Sequence, residues 1–197
     1  MPKNVMVVGT GTIGEPLIGL LAEHKDALGL DNVLFFKRTP LSDEKGKVEA
    51  LLRKGSKIVS SSDALSDFKQ LGFSEIEDVD NAYEDADVII DCTPSGNENW
   101  KSIYSSLDQS KRFMAQGSEH GFGPFFAWGI NNDVLENESN KYLIASCNTH
   151  NIASIVKTFA LDQGRELVEG QFVCLRRAND VSQNDSFSPS PTITKHS

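Results

Sequence analysis

The stretch that decides the fold covers residues 5–14 and reads Val-Met-Val-Val-Gly-Thr-Gly-Thr-Ile-Gly. Its apolar half predicts a buried strand, and its glycines predict a tight turn into a helix. Gly9 permits the turn, Gly11 lets backbone N–H groups approach a ligand, and Gly14 lets helix and strand pack closely. The unsatisfied N–H groups of a helix N-terminus favour an anion. We therefore predict a pyrophosphate site, against the alternative of a tight strand–helix turn in another α/β protein.

Strand and helix patterns alternate along most of the chain. After the first strand, apolar runs predict strands at residues 32–36, 57–59, 88–90, 113–115 and 142–145. Segments with apolar residues at helical spacing separate them. This alternation predicts a Rossmann-like α/β fold with a doubly wound parallel sheet, which we expect over residues 1–146 as an NAD(P)-binding domain. Residues 147–197 offer one helix pattern and one strand pattern, at 172–177, and predict the truncated start of an α+β catalytic domain.

Composition and charge exclude several classes of protein. The net charge of −9 argues against nucleic acid as a partner, because a polyanion would be repelled. No run of about 18 apolar residues occurs, so we expect no membrane span. The three cysteines are widely spaced, which suits a reducing compartment and predicts a cytoplasmic protein. Cysteines and histidines show no metal-ligand spacing, so no metal site is predicted.

The residues after the second strand indicate which dinucleotide binds. In NAD-binding proteins, an Asp or Glu about 20 residues beyond the glycines accepts a hydrogen bond from the ribose 2′-OH. Here the sequence is Lys37-Arg38-Thr39, without a carboxylate. Two cations and a hydroxyl suit the 2′-phosphate of NADP, so NADP is predicted as the preferred cofactor and NAD as the alternative. Solvated charges at a strand end are the competing interpretation.

Cys147 is the candidate nucleophile. It stands between a strand pattern and a helix pattern, where helix N–H groups stabilise a thiolate. Cys92 ends a strand and Cys174 lies within a strand pattern, so both are better explained by packing. By itself Cys147 is equally compatible with a buried core position, because cysteine is among the most buried residue types.

Taken together, the motifs resemble phosphorylating glyceraldehyde-3-phosphate dehydrogenase of the archaeal type. The stretches that carry the resemblance run along the whole chain: residues 11–14, 37–40, 86–91, 116–117, 146–149 and 175–178. The most specific of them are Ser146-Cys147-Asn148-Thr149 and Leu175-Arg176-Arg177-Ala178. Several motifs in one order are stronger evidence than any single motif.

The resemblance also implies roles for individual residues. Cofactor contacts are implied at Thr12, Ile13, Gly117 and Arg177. Cys147 would attack the aldehyde carbon of glyceraldehyde 3-phosphate, with Asn148 and Thr149 holding the substrate. After hydride transfer, inorganic phosphate would cleave the thioester and release 1,3-bisphosphoglycerate.

The same resemblance implies a longer, homotetrameric protein. The general base of the family would lie beyond residue 197, so we expect this chain to be an N-terminal fragment. We expect the fragment to retain cofactor binding better than catalytic turnover. His120 and His150 are weaker candidates for that base. Two other functions remain open: a related acyl-enzyme semialdehyde dehydrogenase, and a non-catalytic module that binds NADP.

Overall fold

A computed structural model describes residues 3–117, 119–162 and 165–173. The chain divides into two compact units, Met1–Ser146 and Cys147–Ser197. The strand expected at residues 172–177 lies mostly outside the described residues. Phe172 and Val173, which are described, belong to neither a strand nor a helix.

A single parallel sheet forms the centre of the first unit. Its described strands are β1 (Asn4–Val8), β2 (Asn32–Phe36), β3 (Lys57–Ser60), β4 (Ile76–Asp78), β5 (Val88–Asp91), β6 (Arg112–Gln116), β7 (Phe125–Phe126) and β8 (Lys141–Ile144). They are ordered β4-β3-β2-β1-β5-β6-β8-β7, and every described pairing is parallel. The predicted Rossmann-like α/β fold with a doubly wound parallel sheet is confirmed.

Helices connect the strands and cover both faces of the sheet. The described helices are α1 (Gly14–Glu23), α2 (Lys45–Arg53), α3 (Leu65–Gln70), α4 (Val79–Asp85), α5 (Gly96–Ser102) and, in the second unit, α6 (Cys147–Val156). A 3₁₀ segment, Ser42–Glu44, precedes α2, and a π-helical turn, Lys157–Leu161, follows α6. Apolar positions Val48 and Leu51 explain why α2 packs inward, since both side chains are buried at helical spacing.

Two hydrophobic cores lie on opposite faces of the sheet. Met6 belongs to one core, with Tyr104 and Phe113, whereas Val7 belongs to the other, with Ile18. Successive side chains of a strand point to opposite faces, and both Met6 and Val7 are fully buried. Helices cover both faces of the sheet, so the carboxyl edge is the part that remains open to a ligand. Folds of this kind bind nucleotides at that edge.

Among the residues that the structure describes, none of the helices is both long and apolar enough to cross a membrane.

Candidate functional site

The glycine turn lies where the order of strands reverses. β1 has β2 on one side and β5 on the other, which makes its carboxyl end the topological switch point of the sheet. The Gly9 N–H donates to the Phe36 carbonyl over 3.4 Å, and the Cys92 N–H donates to the Val8 carbonyl over 2.8 Å. These two bonds tie the turn to both neighbouring strands. Gly9 has φ +96°, in the left-handed region that favours glycine.

The turn combines one crowded glycine with one open glycine. A Cβ on Gly14 would overlap the carbonyl oxygen of Gly9, so the helix starts directly against the turn. A Cβ on Gly11 would meet nothing within 4 Å. Gly11, Thr12 and Ile13 are all exposed, and Ile13 is 49% accessible. The backbone ahead of α1 is therefore open to a ligand.

Lys37 does not project freely into solvent. Its residue exposure is 5%, and its ammonium group forms an ion pair with the carboxylate of Glu44. Glu44 ends the 3₁₀ segment Ser42–Glu44, which brings its side chain back to the end of β2. Arg38, by contrast, is exposed. The carboxylate that is missing from the sequence directly after β2 is thus supplied seven residues after Lys37.

Lys47 extends this ion pair to the glycine turn. Its Nζ lies 3.1 Å from Glu44 Oε1 and 3.2 Å from Glu15 Oε2. It also donates to the Thr10 carbonyl over 3.3 Å. Lys37, Glu44, Lys47 and Glu15 therefore form one cluster of alternating charge, called the ribose-side cluster below. Sequence reasoning missed Glu44 and Lys47, since neither lies next to a strand end.

Two members of the ribose-side cluster, Glu44 and Lys47, have pKa values shifted toward the charged state. The hydrogen bond from Lys37 lowers the pKa of Glu44; burial opposes this shift, and Lys47 adds to it. Burial works against the charge on Lys47, but hydrogen bonds to Glu44 and Glu15 outweigh it and raise the pKa of Lys47. Glu44 is consequently an anion at neutral pH, held within reach of two cations.

The loop after β5 forms the other wall of the turn. Asp91 is fully buried, and its carboxylate accepts hydrogen bonds from the Thr93 N–H (2.8 Å), the Thr93 hydroxyl (2.6 Å), the Asn99 amide (2.7 Å) and the Tyr104 hydroxyl (2.8 Å). These bonds fix the loop, whose Thr93 Cγ2 lies 3.0 Å from where a Cβ on Gly9 would stand. Asp91 therefore shapes the wall and does not face a ligand.

Cys92 is poorly suited to act as a nucleophile. Burial, followed by the nearby charge of Asp91, raises the pKa of its thiol to about 12. The Gln116 side-chain amide donates to its sulfur over 3.3 Å. Cys92 is consequently a neutral packing group at physiological pH.

Gly117 follows β6 at the same edge of the sheet. Its φ is +59°, and its N–H donates to the Ile144 carbonyl over 3.0 Å. This bond continues the β6–β8 ladder past the last residue of β6. The structure thus places Gly117 at the carboxyl edge that also carries the glycine turn.

In the second unit, the candidate nucleophile and the two candidate substrate-binding residues share the first turn of α6. Cys147 is the first residue of this ten-residue helix and is exposed. Its Sγ lies 4.0 Å from the Asn148 side-chain oxygen. Asn148 is half-buried and Thr149 is exposed. Cys147 is therefore a solvent-accessible thiol at the start of a helix, and not the buried core cysteine that its sequence position also allowed.

Comparison with known proteins identifies several relatives that share one name. Glyceraldehyde-3-phosphate dehydrogenase of Pyrobaculum calidifontis is 27% identical over 96% of the chain, and that of Sulfolobus acidocaldarius is 28% identical over 91%. The Pyrobaculum islandicum enzyme of the same name is 26% identical over 98%. No protein-family model matches the chain.

The chain is similar to archaeal glyceraldehyde-3-phosphate dehydrogenases. It spans about half the length of the relatives it matches, between 50% and 56% for these three. The resemblance inferred from the motifs is therefore confirmed.

The positions expected to function in a glyceraldehyde-3-phosphate dehydrogenase fall in both units. The expected cofactor residues Gly9 to Gly14, Lys37, Arg38 and Gly117 are in the first unit, at or next to the carboxyl ends of β1, β2 and β6. Cys147, Asn148 and Thr149 are in the second unit. Arg177 lies outside the described residues. Within the described part of the chain, no group of Cys, His, Asp and Glu side chains is arranged to hold a metal ion.

Proposed function

We propose that the chain forms the cofactor-binding and cysteine-bearing part of an NADP-preferring, phosphorylating glyceraldehyde-3-phosphate dehydrogenase. The observation that carries this proposal is the glycine turn at the switch point, with open space at Gly11 and a closed contact at Gly14. Similarity to relatives of that name supports the substrate, glyceraldehyde 3-phosphate. On this proposal, residues 1–146 are the NAD(P)-binding domain and residues 147–197 begin the catalytic domain.

The residues of the turn fit a dinucleotide. The exposed backbone from Gly11 to Ile13 precedes the ten-residue helix α1, so its N–H groups would hold the pyrophosphate. Thr12, Ile13, Gly117 and Arg177 would add contacts along the cofactor. When bound, the nicotinamide supplies a hydride acceptor.

Cys147 would carry the covalent chemistry. Its thiolate attacks the aldehyde carbon to form a C–S bond and a thiohemiacetal, while Asn148 and Thr149 hold the substrate. Loss of its hydride to the oxidised nicotinamide, and of its hydroxyl proton to a base, would leave a thioester on Cys147. An oxygen of inorganic phosphate then attacks the carbonyl carbon, the C–S bond breaks, and the thiolate is released with 1,3-bisphosphoglycerate as product.

The cofactor preference depends on the end of β2. Arg38 is exposed there and would pair with the 2′-phosphate of NADP. Lys37 would add a second cation once its ion pair with Glu44 rearranges. We further propose a cytoplasmic protein that works as a homotetramer in its complete form.

The test measures binding and turnover separately. NADP and NAD are titrated by calorimetry, and NADPH formation from glyceraldehyde 3-phosphate is followed with and without inorganic phosphate. We expect tight NADP binding and weak, phosphate-dependent turnover. Cys147→Ser should abolish turnover and retain NADP binding, whereas the control Cys92→Ser should change neither.

Three results would count against this proposal. Failure to bind either dinucleotide overturns the cofactor site. Turnover that survives Cys147→Ser overturns the nucleophile. Turnover that is independent of phosphate indicates a non-phosphorylating aldehyde dehydrogenase.

A further inference from the structure

We propose that Glu44 sets the balance between NADP and NAD by occupying the cations that a 2′-phosphate needs. This inference rests on the proposed dinucleotide site. Glu44 would then determine cofactor specificity from the 3₁₀ segment after β2, and not from the end of the strand itself.

The first support is the way Lys37 is held. Its backbone N–H donates to the Val59 carbonyl over 3.0 Å, and its own carbonyl accepts from the Ser60 hydroxyl over 2.8 Å. Its backbone is thus fixed to β3, and its side chain is buried against Glu44. Lys37 is therefore not a free cation that awaits a phosphate group.

The second support is the location of the ribose-side cluster. Phe36, directly before Lys37, accepts a hydrogen bond from Gly9, and Lys47 donates to the Thr10 carbonyl. The cluster consequently spans the gap between the end of β2 and the glycine turn. In folds of this kind, the adenine-side ribose lies at the end of β2 and the pyrophosphate lies at the turn.

The third support is the charge balance. Lys37 and Lys47 carry two positive charges, and Glu44 and Glu15 carry two negative charges, so the cluster is neutral. A 2′-phosphate brought to Lys37 would approach the Glu44 carboxylate, and like charges at close range disfavour a ligand. The same carboxylate can accept a hydrogen bond from the 2′-OH of NAD, as an acidic residue after β2 does in NAD-binding proteins.

Two side chains therefore have opposite effects on the binding of the 2′-phosphate. Arg38 is exposed and attracts the 2′-phosphate, whereas Glu44 repels it and holds Lys37. The preference for NADP is smaller than the two cations alone would produce. Removal of the Glu44 charge should release Lys37 to the phosphate and increase the preference.

The experiment compares dissociation constants for NADP and NAD in the unmodified chain, Glu44→Gln and Glu49→Gln. The control removes one negative charge from α2 at a half-exposed ion pair with Lys45, outside the ribose-side cluster. We expect Glu44→Gln to raise the ratio of the NAD constant to the NADP constant at least about fivefold, since it removes a like charge. Glu49→Gln should leave the ratio within about twofold of the unmodified chain. Glu44→Ser, which frees Lys37 in a different way, should match Glu44→Gln, and circular dichroism checks the folding of each variant.

The outcomes separate this inference from the proposed function. If the unmodified chain binds neither dinucleotide, the proposed cofactor site is wrong and the inference falls with it. If both dinucleotides bind but the folded Glu44 variants keep the original ratio, only the inference is overturned. An equal increase in Glu49→Gln would show a general effect of net charge and would also overturn it.

Discussion

Gly14 packs so closely on the carbonyl oxygen of Gly9 that a Cβ at position 14 would overlap it. The obstacle is backbone, which cannot rotate away as a side chain can. A Cβ on Gly11, three residues earlier, would meet nothing within 4 Å. The two glycines of one motif therefore serve different purposes: Gly14 permits the turn to close, and Gly11 leaves space outside it.

Gly14→Ala should lower the free energy of unfolding by about 1–3 kcal/mol, the usual range for forcing extra volume into a packed site. Gly11→Ala should change it by less than about 0.5 kcal/mol, as substitutions do where nothing is contacted. Urea denaturation of both variants measures the difference. Equal destabilisation by the two substitutions would contradict the arrangement described for the turn.

Tyr104→Phe should destabilise the first unit by about 1.5–3 kcal/mol, because it removes a 2.8 Å hydrogen bond to the charged Asp91 carboxylate. Tyr142→Phe is the matched control. Tyr142 is also buried, but its hydroxyl donates to the neutral Ser139 carbonyl over 2.7 Å, and we expect a loss of about 1 kcal/mol. Thermal or urea unfolding provides the comparison, and a larger loss of stability in Tyr142→Phe than in Tyr104→Phe would contradict this prediction.

Iodoacetamide at pH 8 should alkylate Cys147 and spare Cys92. Cys147 is exposed, whereas the Cys92 pKa of about 12 leaves only about one thiol in ten thousand ionised at that pH. Peptide mass spectrometry after timed labelling distinguishes the sites, with Cys174 scored separately. The assignment of Cys92 as an inert packing group fails if both thiols are modified at similar rates.

The ion pairs of Glu44 should make the free energy of unfolding depend on pH. Its pKa is lowered in the folded protein from an ordinary value of 4.5, so its stabilisation is present above that value and is lost as pH falls through the folded pKa. The melting temperature of Glu44→Gln should lie below that of the unmodified chain at pH 7. The two melting temperatures should converge as the pH falls from 4.5 through the lowered pKa of folded Glu44.

Glu49→Gln again serves as the control for this measurement. Its ion pair with Lys45 is half-exposed, with a separation of 3.9 Å, and we expect it to contribute little to stability. A pH dependence in Glu49→Gln equal to that in Glu44→Gln would show that the ribose-side cluster has no special role in stability.

The long buried strands could be predicted from the sequence, and the short ones could not. The run at residues 32–36 coincides with β2, since continuous apolar residues bounded by turns are a strong strand signal. β4 has three residues and β7 has two, too few for any periodicity to emerge. These strands are specified by pairing with β3 and β8, which is tertiary information.

The site was predictable where it depends on backbone and missed where it depends on side chains distant in sequence. The spacing of Gly9 and Gly14 predicted a tight turn, and the structure shows one. Lys37 was predicted as a cation for the 2′-phosphate of NADP, yet its side chain is buried and paired with Glu44, which comes from a separate segment. The one local sign was an acidic residue at the start of a predicted helix, which is usually explained by the helix dipole. The catalytic role of Cys147 remains a prediction.

The sheet ends on its two shortest strands, β4 and β7. An edge strand presents unpaired N–H and C=O groups that can pair with a strand of another molecule, and this risk of aggregation grows with the length of the edge strand. Edge strands of three and two residues present few such groups. We expect the described sheet to resist edge-to-edge association between molecules, even though its central strands are almost entirely apolar.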